Sequence, residues 1–352
     1  MIDHNKPWIL PDDIAAVSAA LQTNWLAPGQ QVAALEQEFL AFYGGGQCCT
    51  VSSGSAALFV ALKAANLKPG DRVVLPTYVC TAVLNAIILS GASPVLADIQ
   101  GDTFNIDPES VEALRCEPRA VIAVHTYGVA ADVQALSRCA EIVIEDCSQS
   151  LGGCTASGDP LGKSGAAAIF SFYASKVITG GHGGMVYSAN TDIGVQARDY
   201  VSFDGRDDWK PRFNFQITDF QAALVRSQFA RLATVVSRRR NLAARYRAVL
   251  PAGYRVQAGL DLTTAMPYRF VISAPNSSAR DRLQRYLFDS GIRTIVPLER
   301  KELLHRFLKL SSASFPNAER VAETTLSIPL YPALTGREED RVVDALSNVP
   351  LP

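Results

Sequence analysis

The sequence has almost no net charge and no cysteine arrangement typical of a metal site or a disulfide framework. Its 352 residues carry 33 Lys and Arg against 34 Asp and Glu, a net charge of −1. This balance gives no basic field that would attract nucleic acid or an anionic membrane. Its 7 cysteines are an odd number, and none forms a Cys-x-x-Cys pair or a His/Cys cluster with zinc-ligand spacing. We therefore predict reduced thiols, a cytoplasmic location and no metal site.

Long apolar runs are also lacking. The first residues, MIDHNKPW, contain no apolar core of the kind that signal peptides have. The longest apolar stretch, Val79–Ala97, is interrupted by Asn85, Gly91 and Pro94, so it is typical of a helix, a turn and a strand. There are no internal repeats. We expect a soluble protein with no membrane partner, long enough for about two domains.

Short apolar segments alternate with amphipathic ones between about residues 50 and 190. The amphipathic stretches Ser55–Ala65, Thr81–Ser90 and Asp132–Ala140 are typical of helices. The alternation predicts an α/β fold, with a mostly parallel sheet covered by helices on both faces. The predicted strands are Val73–Pro76, Pro94–Asp98, Ala120–His125, Ile142–Asp146, Ala167–Ser171 and Met185–Ser188.

The second half of the chain predicts a smaller domain. A helical pattern runs from Thr218 to Leu250 and ends at Pro251. We predict a large domain over residues 1–235 and a smaller C-terminal α+β domain over 236–352, joined by this long helix 218–250. The three arginines Arg238–Arg240 lie in the helical pattern and are expected to form a solvated face.

Small residues precede a predicted helix in the segment SSGSAALFVAL, Ser52–Leu62. The free backbone N–H groups at a helix N-terminus can bind an anion, and Ser55 offers a hydroxyl beside Gly54. The alternative is ordinary helix capping by Ser53 or Ser55.

Polar side chains follow the strand Ile142–Asp146 in the segment EDCSQSLGG. Ligands of parallel sheets bind beyond the carboxyl ends of the strands. There Asp146 can bond a protonated ring nitrogen, Gln149 can reach a neighbouring ring oxygen, and Ser148 would lie against the ring face. The alternative is a carboxylate that caps the next turn.

A single lysine follows the strand Ala167–Ser171 in the segment FSFYASK, just before four glycines. Burial favours the neutral, nucleophilic form of an amine, which Schiff-base chemistry with a carbonyl requires. Ser171 could bond a phosphate while Lys176 reaches an aldehyde. The alternative is a surface lysine that closes a strand. A phosphate site, an acid for a pyridine nitrogen and a Schiff-base lysine are together the three demands of pyridoxal phosphate.

Further motifs extend this pattern over nearly the whole chain. Together they resemble the DegT/DnrJ/EryC1/StrS family of pyridoxal-phosphate-dependent sugar aminotransferases, which have the aspartate-aminotransferase-like fold type I. The motifs are WLAPGQQVAALEQEF (Trp25–Phe39), GASPVLADI (Gly91–Ile99), AVHTYG (Ala123–Gly128), RFNFQITDFQAA (Arg212–Ala223) and LSIPLYPALT (Leu326–Thr335).

The resemblance implies a role for each matching residue. Lys176 would form the Schiff base with the cofactor, Asp146 would face the pyridine nitrogen and Gln149 the ring hydroxyl. Asn214 would reach the phosphate from the neighbouring subunit, which implies a homodimer with composite active sites. The phosphate itself would be held by Gly54, Ser55 and Ser171.

Three residues bear on the substrate and on departures from the family. His182 stands in GHGG where the family usually has GEGG, and Cys80 stands where many relatives carry an aromatic that stacks on the cofactor. His125 ends a predicted strand. We consider His125 and His182 as candidate substrate contacts, with a structural role as the alternative for each.

The resemblance implies an aminotransferase that moves an amino group from an amino acid, L-glutamate, to a keto sugar, most simply one linked to a nucleotide, in amino-sugar biosynthesis. One alternative is a dehydratase or cyclic-substrate lyase of the same family, although the deoxysugar dehydratases carry histidine in place of the lysine. A second is a non-catalytic pyridoxal-phosphate-binding sensor. The sugar would be selected by loops that include Trp25–Gln30 and Phe203–Arg212.

Overall fold

The computed structural model describes all 352 residues. The β-strands are β1 (Gln47–Val51), β2 (Arg72–Pro76), β3 (Ser93–Ala97), β4 (Ala120–Val124), β5 (Ile142–Asp146), β6 (Ala167–Ser171), β7 (Gly184–Ser188), β8 (Arg255–Val256), β9 (Phe270–Ser273) and β10 (Thr325–Ile328). The α-helices are α1 (Pro11–Gln22), α2 (Gln30–Tyr43), α3 (Gly54–Ala64), α4 (Thr81–Ser90), α5 (Pro108–Ala113), α6 (Val133–Cys139), α7 (Thr191–Val201), α8 (Asp219–Phe229), α9 (Leu232–Val249), α10 (Ser277–Asp289), α11 (Leu304–Phe307), α12 (Pro316–Thr324) and α13 (Gly336–Ser347).

The first seven strands form one sheet in the order β1-β7-β6-β5-β4-β2-β3. β7 runs antiparallel to both its neighbours, and the pairs from β6 to β3 are all parallel. The predicted α/β fold with a mostly parallel sheet is therefore confirmed. β5 and β6 have the bounds that the sequence predicted, whereas β1 was not predicted.

Both faces of this sheet are buried, because alternate residues of its strands enter different cores. In β2, Val73 and Leu75 pack into the large core that contains α3 and α4, while Val74 packs into a smaller core with α5 and α6. In β4, Ile122 packs into the large core and Val121 into the smaller one. Helices cover each face, as the near-continuous apolar strands indicate.

One edge of the sheet collects the loops that follow β1, β2, β4, β5 and β6. β7 begins at the same edge, since Gly184 pairs with both Val51 and Ser171. Residues far apart in sequence therefore meet here.

The helix predicted over 218–250 is two helices, and the prediction of one continuous helix was wrong. The break falls at Ala230 and Arg231, where the backbone of Arg231 has φ −111° and ψ 20°. The Arg231 guanidinium bonds both carboxylate oxygens of the fully buried Asp13 and the carbonyl oxygen of Trp8. A tertiary ion pair thus outweighs the local helix propensity.

The expected solvated face of Arg238–Arg240 was also wrong for its central member. Arg239 is only 3% exposed and donates to the carbonyl oxygens of Tyr268 and Leu330. Arg240 bonds the carbonyl oxygen of Ala265. These two arginines attach α9 to the segment before β9 and to the segment after β10.

The C-terminal part is built on a three-stranded sheet in the order β10-β9-β8, packed with α9, α10 and α13. Ile2 lies in this core, whereas Leu304 and Val321 lie in the core of the large sheet. The two parts therefore exchange segments, and the division at residue 235 stays a prediction. None of the helices is both long and apolar enough to cross a membrane.

Candidate active site

A cavity of about 290 Å³ opens at the edge of the sheet where the strand-end loops meet. A wider surface cleft of about 620 Å³, beside Asp281 and Arg285, contains none of the predicted site residues. We therefore place the candidate site in the smaller cavity. Nine of the predicted residues line it: Gly54, Ser55, Cys80, Asp146, Ser148, Gln149, Ser171, Lys176 and His182.

One end of the cavity is built from the first turn of α3. Ser53 caps this helix, because its Oγ accepts the N–H of Ala56 at 3.1 Å. Capping by Ser53 leaves the exposed Ser55 free to face a ligand. A Cβ at Gly54 would lie 2.7 Å from the Cβ of Ser171, so only glycine allows α3 and β6 to approach this closely. The result is a narrow cradle of N–H and hydroxyl groups suited to an anion.

Asp146 ends β5 and is only 8% exposed. Its Oδ1 accepts the N–H of Ser148 at 2.9 Å, so the carboxylate does hold the following turn. No basic side chain of the chain forms an ion pair with it, and the residue lines the cavity. A buried carboxylate without a cation is unfavourable, so this group suits a ligand with a positively charged N–H.

Gln149 lies beside Asp146 with a fixed orientation. Its Oε1 accepts the N–H of Tyr127 at 3.1 Å, and since a backbone N–H can only donate, the amide nitrogen remains free to donate to a ligand. Tyr127 has a φ of 55°, next to Gly128 at 94°. A Cβ at Gly128 would overlap the carbonyl oxygen of Met266, so this loop is in close contact with the C-terminal part.

Lys176 follows β6 on a turn in which its N–H donates to the carbonyl oxygen of Tyr173. Its side chain is half-buried, and Nζ lies 5.5 Å from the ring centroid of Tyr268. Sequence reasoning missed Tyr268, because nothing in its neighbourhood of the sequence distinguishes it from an ordinary strand-flanking aromatic.

The cavity fits pyridoxal phosphate. The cradle of α3 and Ser171 suits the phosphate, the Asp146 carboxylate suits a protonated pyridine nitrogen, and the Lys176 amine can bond an aldehyde. The donor set therefore agrees with the three demands of this cofactor.

His125 lies outside the cavity, contrary to its prediction as a substrate contact. Its side chain is fully buried, its Nδ1 accepts the N–H of Ala131 at 3.0 Å, and its Nε2 bonds Glu145 at 2.9 Å. Both ring nitrogens are thus occupied within the protein. The structural alternative for His125 is the one that the geometry supports.

His182 and Asn214 are both exposed. His182 lies at the cavity, with its ring edge-on to that of Tyr173 at 5.3 Å between centroids. Asn214 accepts the N–H of Gln216 at 3.3 Å and does not line the cavity of its own chain. Its predicted contact from a neighbouring subunit stays a prediction.

The fold and this cavity define a pyridoxal-phosphate-dependent aminotransferase. The profile of the DegT/DnrJ/EryC1/StrS aminotransferase family matches residues 8–347, and the chain belongs to this family. The family, fold, enzyme class and cofactor inferred from the sequence are confirmed.

Solved structures agree with this assignment over nearly the full length of the chain. The aminotransferase TlmJ of Streptoalloteichus hindustanus is 30% identical, with a TM-score of 0.86 and coverage of 99% of this chain and 98% of that one. The sugar aminotransferase CalS13 of Micromonospora echinospora is 25% identical, with a TM-score of 0.87 and 99% of each chain covered. Spr1654 of Streptococcus pneumoniae, described as a sugar aminotransferase and solved in a PLP-form, is 22% identical, with a TM-score of 0.89, covering 98% and 97%.

Proposed function

We propose that the protein transfers the amino group of L-glutamate to a keto sugar linked to a nucleotide, as a cytoplasmic enzyme of amino-sugar biosynthesis. The observation that supports this proposal is the cavity itself. It is lined by a buried carboxylate that has no ion pair, by a lysine amine and by an anion cradle. Membership of a sugar aminotransferase family supports a sugar as the amino acceptor. The seven cysteines are all free thiols, which supports a reducing compartment.

Bound pyridoxal phosphate supplies an electrophilic carbon and a conjugated ring that accepts an electron pair from the substrate. Asp146 would hold the proton on the ring nitrogen, and the Gln149 amide would donate to the neighbouring ring oxygen. Lys176 would bind the aldehyde of the cofactor, and Gly54, Ser55 and Ser171 would hold its phosphate. As a free amine, Lys176 would take a proton from the α-carbon of the amino donor and later return one to the carbon of the acceptor.

We further propose a homodimer with composite sites. Asn214 is exposed and lies outside its own cavity, so its amide is available to the phosphate of a second subunit. Exposed apolar side chains flank it in the same segment: Phe213 is 51% exposed and Trp209 is 89% exposed. Such side chains are typical of a surface that another protein covers. His182 at the cavity is then a candidate contact for the keto sugar, and Cys80 forms part of the wall.

The variant Lys176→Ala tests the assignment of the lysine. We expect loss of the visible absorption band of the lysine–cofactor Schiff base and of multiple-turnover transamination. Lys163→Ala, at an exposed lysine that does not line the cavity, is the control and should keep both. A band that persists in Lys176→Ala contradicts the assignment.

Incubation with a nucleotide-linked keto sugar and L-glutamate tests the reaction. We expect 2-oxoglutarate and amino sugar to form in equal amounts. Loss of water from the sugar without consumption of glutamate would instead identify the dehydratase alternative.

A further inference from the structure

Tyr268 contacts the active-site lysine. The centroid of its ring lies 5.5 Å from Nζ of Lys176. Tyr268 itself is only 6% exposed. One side chain from the C-terminal part therefore lies against the amine of Lys176.

The main chain of Tyr268 is held by hydrogen bonds on both of its polar groups. The N–H of Tyr268 donates to the carbonyl oxygen of Tyr127 at 3.0 Å, and its own carbonyl oxygen accepts from Arg239 at 3.1 Å. The loop at Gly128 packs against the carbonyl of Met266 so closely that no side chain fits between them. The main chain of Tyr268 is thus held on both sides, by the loop at Gly128 and by α9.

Positive charge is concentrated around the ring. Arg269 lies 5.4 Å from its centroid and Arg239 lies 6.0 Å from it, and neither arginine forms an ion pair with an acid. Burial alone would raise the pKa of Tyr268, but the nearby positive charges, chiefly those of Lys176 and Arg269, outweigh burial and hold that pKa below its ordinary value. The ring and hydroxyl are the negative pole among these cations.

On its other side, Lys176 faces the cavity. The titratable groups there are Asp146, Cys80, Tyr173 and His182. Asp146 is the only carboxylate among the residues that line the cavity, and in the proposed mechanism it is engaged by the cofactor. The ring of Tyr268 then attracts a positive charge on Nζ from the side of the C-terminal part.

We propose that Tyr268 is a positioning residue for Lys176: the face of its ring holds the positively charged form of Nζ in one place, between the bond of Lys176 to the cofactor and its proton transfers at the substrate. This inference rests on the proposed role of Lys176. Tyr268 acts through the lysine and is assigned no contact with substrate. The face of the ring contributes the attraction.

The test measures the amine itself, so that it does not depend on turnover. In the full-length protein freed of cofactor, competitive acetylation followed by mass spectrometry gives the pH midpoint at which Nζ of Lys176 becomes reactive. Tyr268→Leu removes the ring, and we expect the midpoint to fall by about half a pH unit to one unit, because the charged form loses its partner. Tyr268→Phe keeps the ring and should leave the midpoint within about 0.2 units of wild type.

The control is Tyr254→Leu, which removes another buried tyrosine of the C-terminal core. Should Tyr268→Leu fail to fold, pentafluorophenylalanine at position 268 keeps the shape of the ring and reverses its quadrupole, so the midpoint should fall as it does for leucine. An unchanged midpoint in Tyr268→Leu or in the pentafluorophenylalanine variant, or an equal fall in Tyr254→Leu, overturns the proposal.

The same variants separate this inference from the proposed function. If Lys176→Ala keeps the Schiff-base band, the role of the lysine fails regardless of Tyr268. If Lys176 is confirmed but the midpoint does not move in Tyr268→Leu, only the positioning role fails. With both confirmed, we expect Tyr268→Leu to slow the half-reaction with glutamate about tenfold, because Nζ is less often in place.

Discussion

The Nε2 of His125 lies 2.9 Å from Oε2 of Glu145, and both side chains are buried. Because Nδ1 of His125 accepts the N–H of Ala131, the ring proton is on Nε2 and is donated to Glu145. This buried pair lies directly behind the cavity, since Glu145 precedes Asp146 in β5. It joins β4 to β5 at the edge of the sheet where the active site is built.

The first prediction concerns this pair. Besides His125, Glu145 accepts the N–H groups of Gly162, Ser164 and Gly165. Glu145→Ala leaves all of these donors without their acceptor, and those of His125 and Gly162 are buried, so we expect the free energy of unfolding to fall by about 3–5 kcal/mol in urea titrations.

Glu141→Ala is the matched control for that experiment. Glu141 is exposed and pairs with Arg119 at the surface, so its removal should change the free energy of unfolding by less than about 1 kcal/mol. Equal losses in the two variants would contradict a structural role for Glu145.

The second prediction concerns stability in acid. Burial alone would raise the pKa of Glu319, but hydrogen bonds from His305, Ser312 and two arginines outweigh burial and lower that pKa to about 2. A carboxyl whose pKa is lower in the folded state stabilises the protein above its unfolded-state pKa, and this contribution disappears as the pH falls through the folded-state value.

The variant Glu319→Gln measures that contribution. We expect it to lose about 1–2 kcal/mol of unfolding free energy at pH 7, and the difference from wild type to shrink between about pH 5 and pH 2. Glu323→Gln, at a half-buried residue that pairs only with Arg300, should show little pH dependence. A difference that grows as the pH falls would have the wrong sign.

The third prediction concerns the anion cradle. The Cβ of Gly54→Ala would lie 2.7 Å from the Cβ of Ser171, so α3 must move away from β6. We expect the Kd for pyridoxal phosphate to rise about ten- to hundredfold, measured by titration of the cofactor-free protein. The control Gly336→Ala meets no atom within 4 Å and should bind the cofactor as wild type does. Unchanged affinity in Gly54→Ala would place the phosphate elsewhere.

The fourth prediction concerns the shared site. If Asn214 serves the neighbouring subunit, Asn214→Ala and Lys176→Ala each damage a different half of every site. Mixed dimers of the two variants then contain one site with both native residues. We expect activity to appear when the two inactive proteins are unfolded and refolded together, and not when they are refolded separately. Absence of recovery, in mixed dimers verified by mass spectrometry, would assign Asn214 to the site of its own subunit.

Local patterns predicted the sheet and most of the cavity because both depend on short segments. β5 and β6 have the predicted bounds, since their apolar runs end at the polar residues Asp146 and Ser171, which begin the site. Ligands of parallel sheets bind beyond the carboxyl ends of the strands, so Asp146 and Lys176 were expected at one edge of the sheet. The structure has both residues at that edge, in one cavity.

The features that sequence patterns missed depend on partners distant in the chain. The break before α9 follows from the ion pair of Arg231 with Asp13, and the burial of Arg239 follows from carbonyl groups near β9 and β10. Tyr268 reaches Lys176 only because the C-terminal part folds back onto the loop at Gly128. No local composition distinguishes such residues from an ordinary helix face or strand flank.

The hairpin of β6 and β7 has a consequence for motion. The two strands pair up to Ser171 and Gly184, and the main chain of Phe172 forms hydrogen bonds with Gly183 and Gly180 at the base of the loop that carries Lys176. The two ends of this loop are therefore held together. The amine moves by rotation about the bonds of its own side chain, which takes picoseconds to nanoseconds, and it does not wait for a slower opening of the loop.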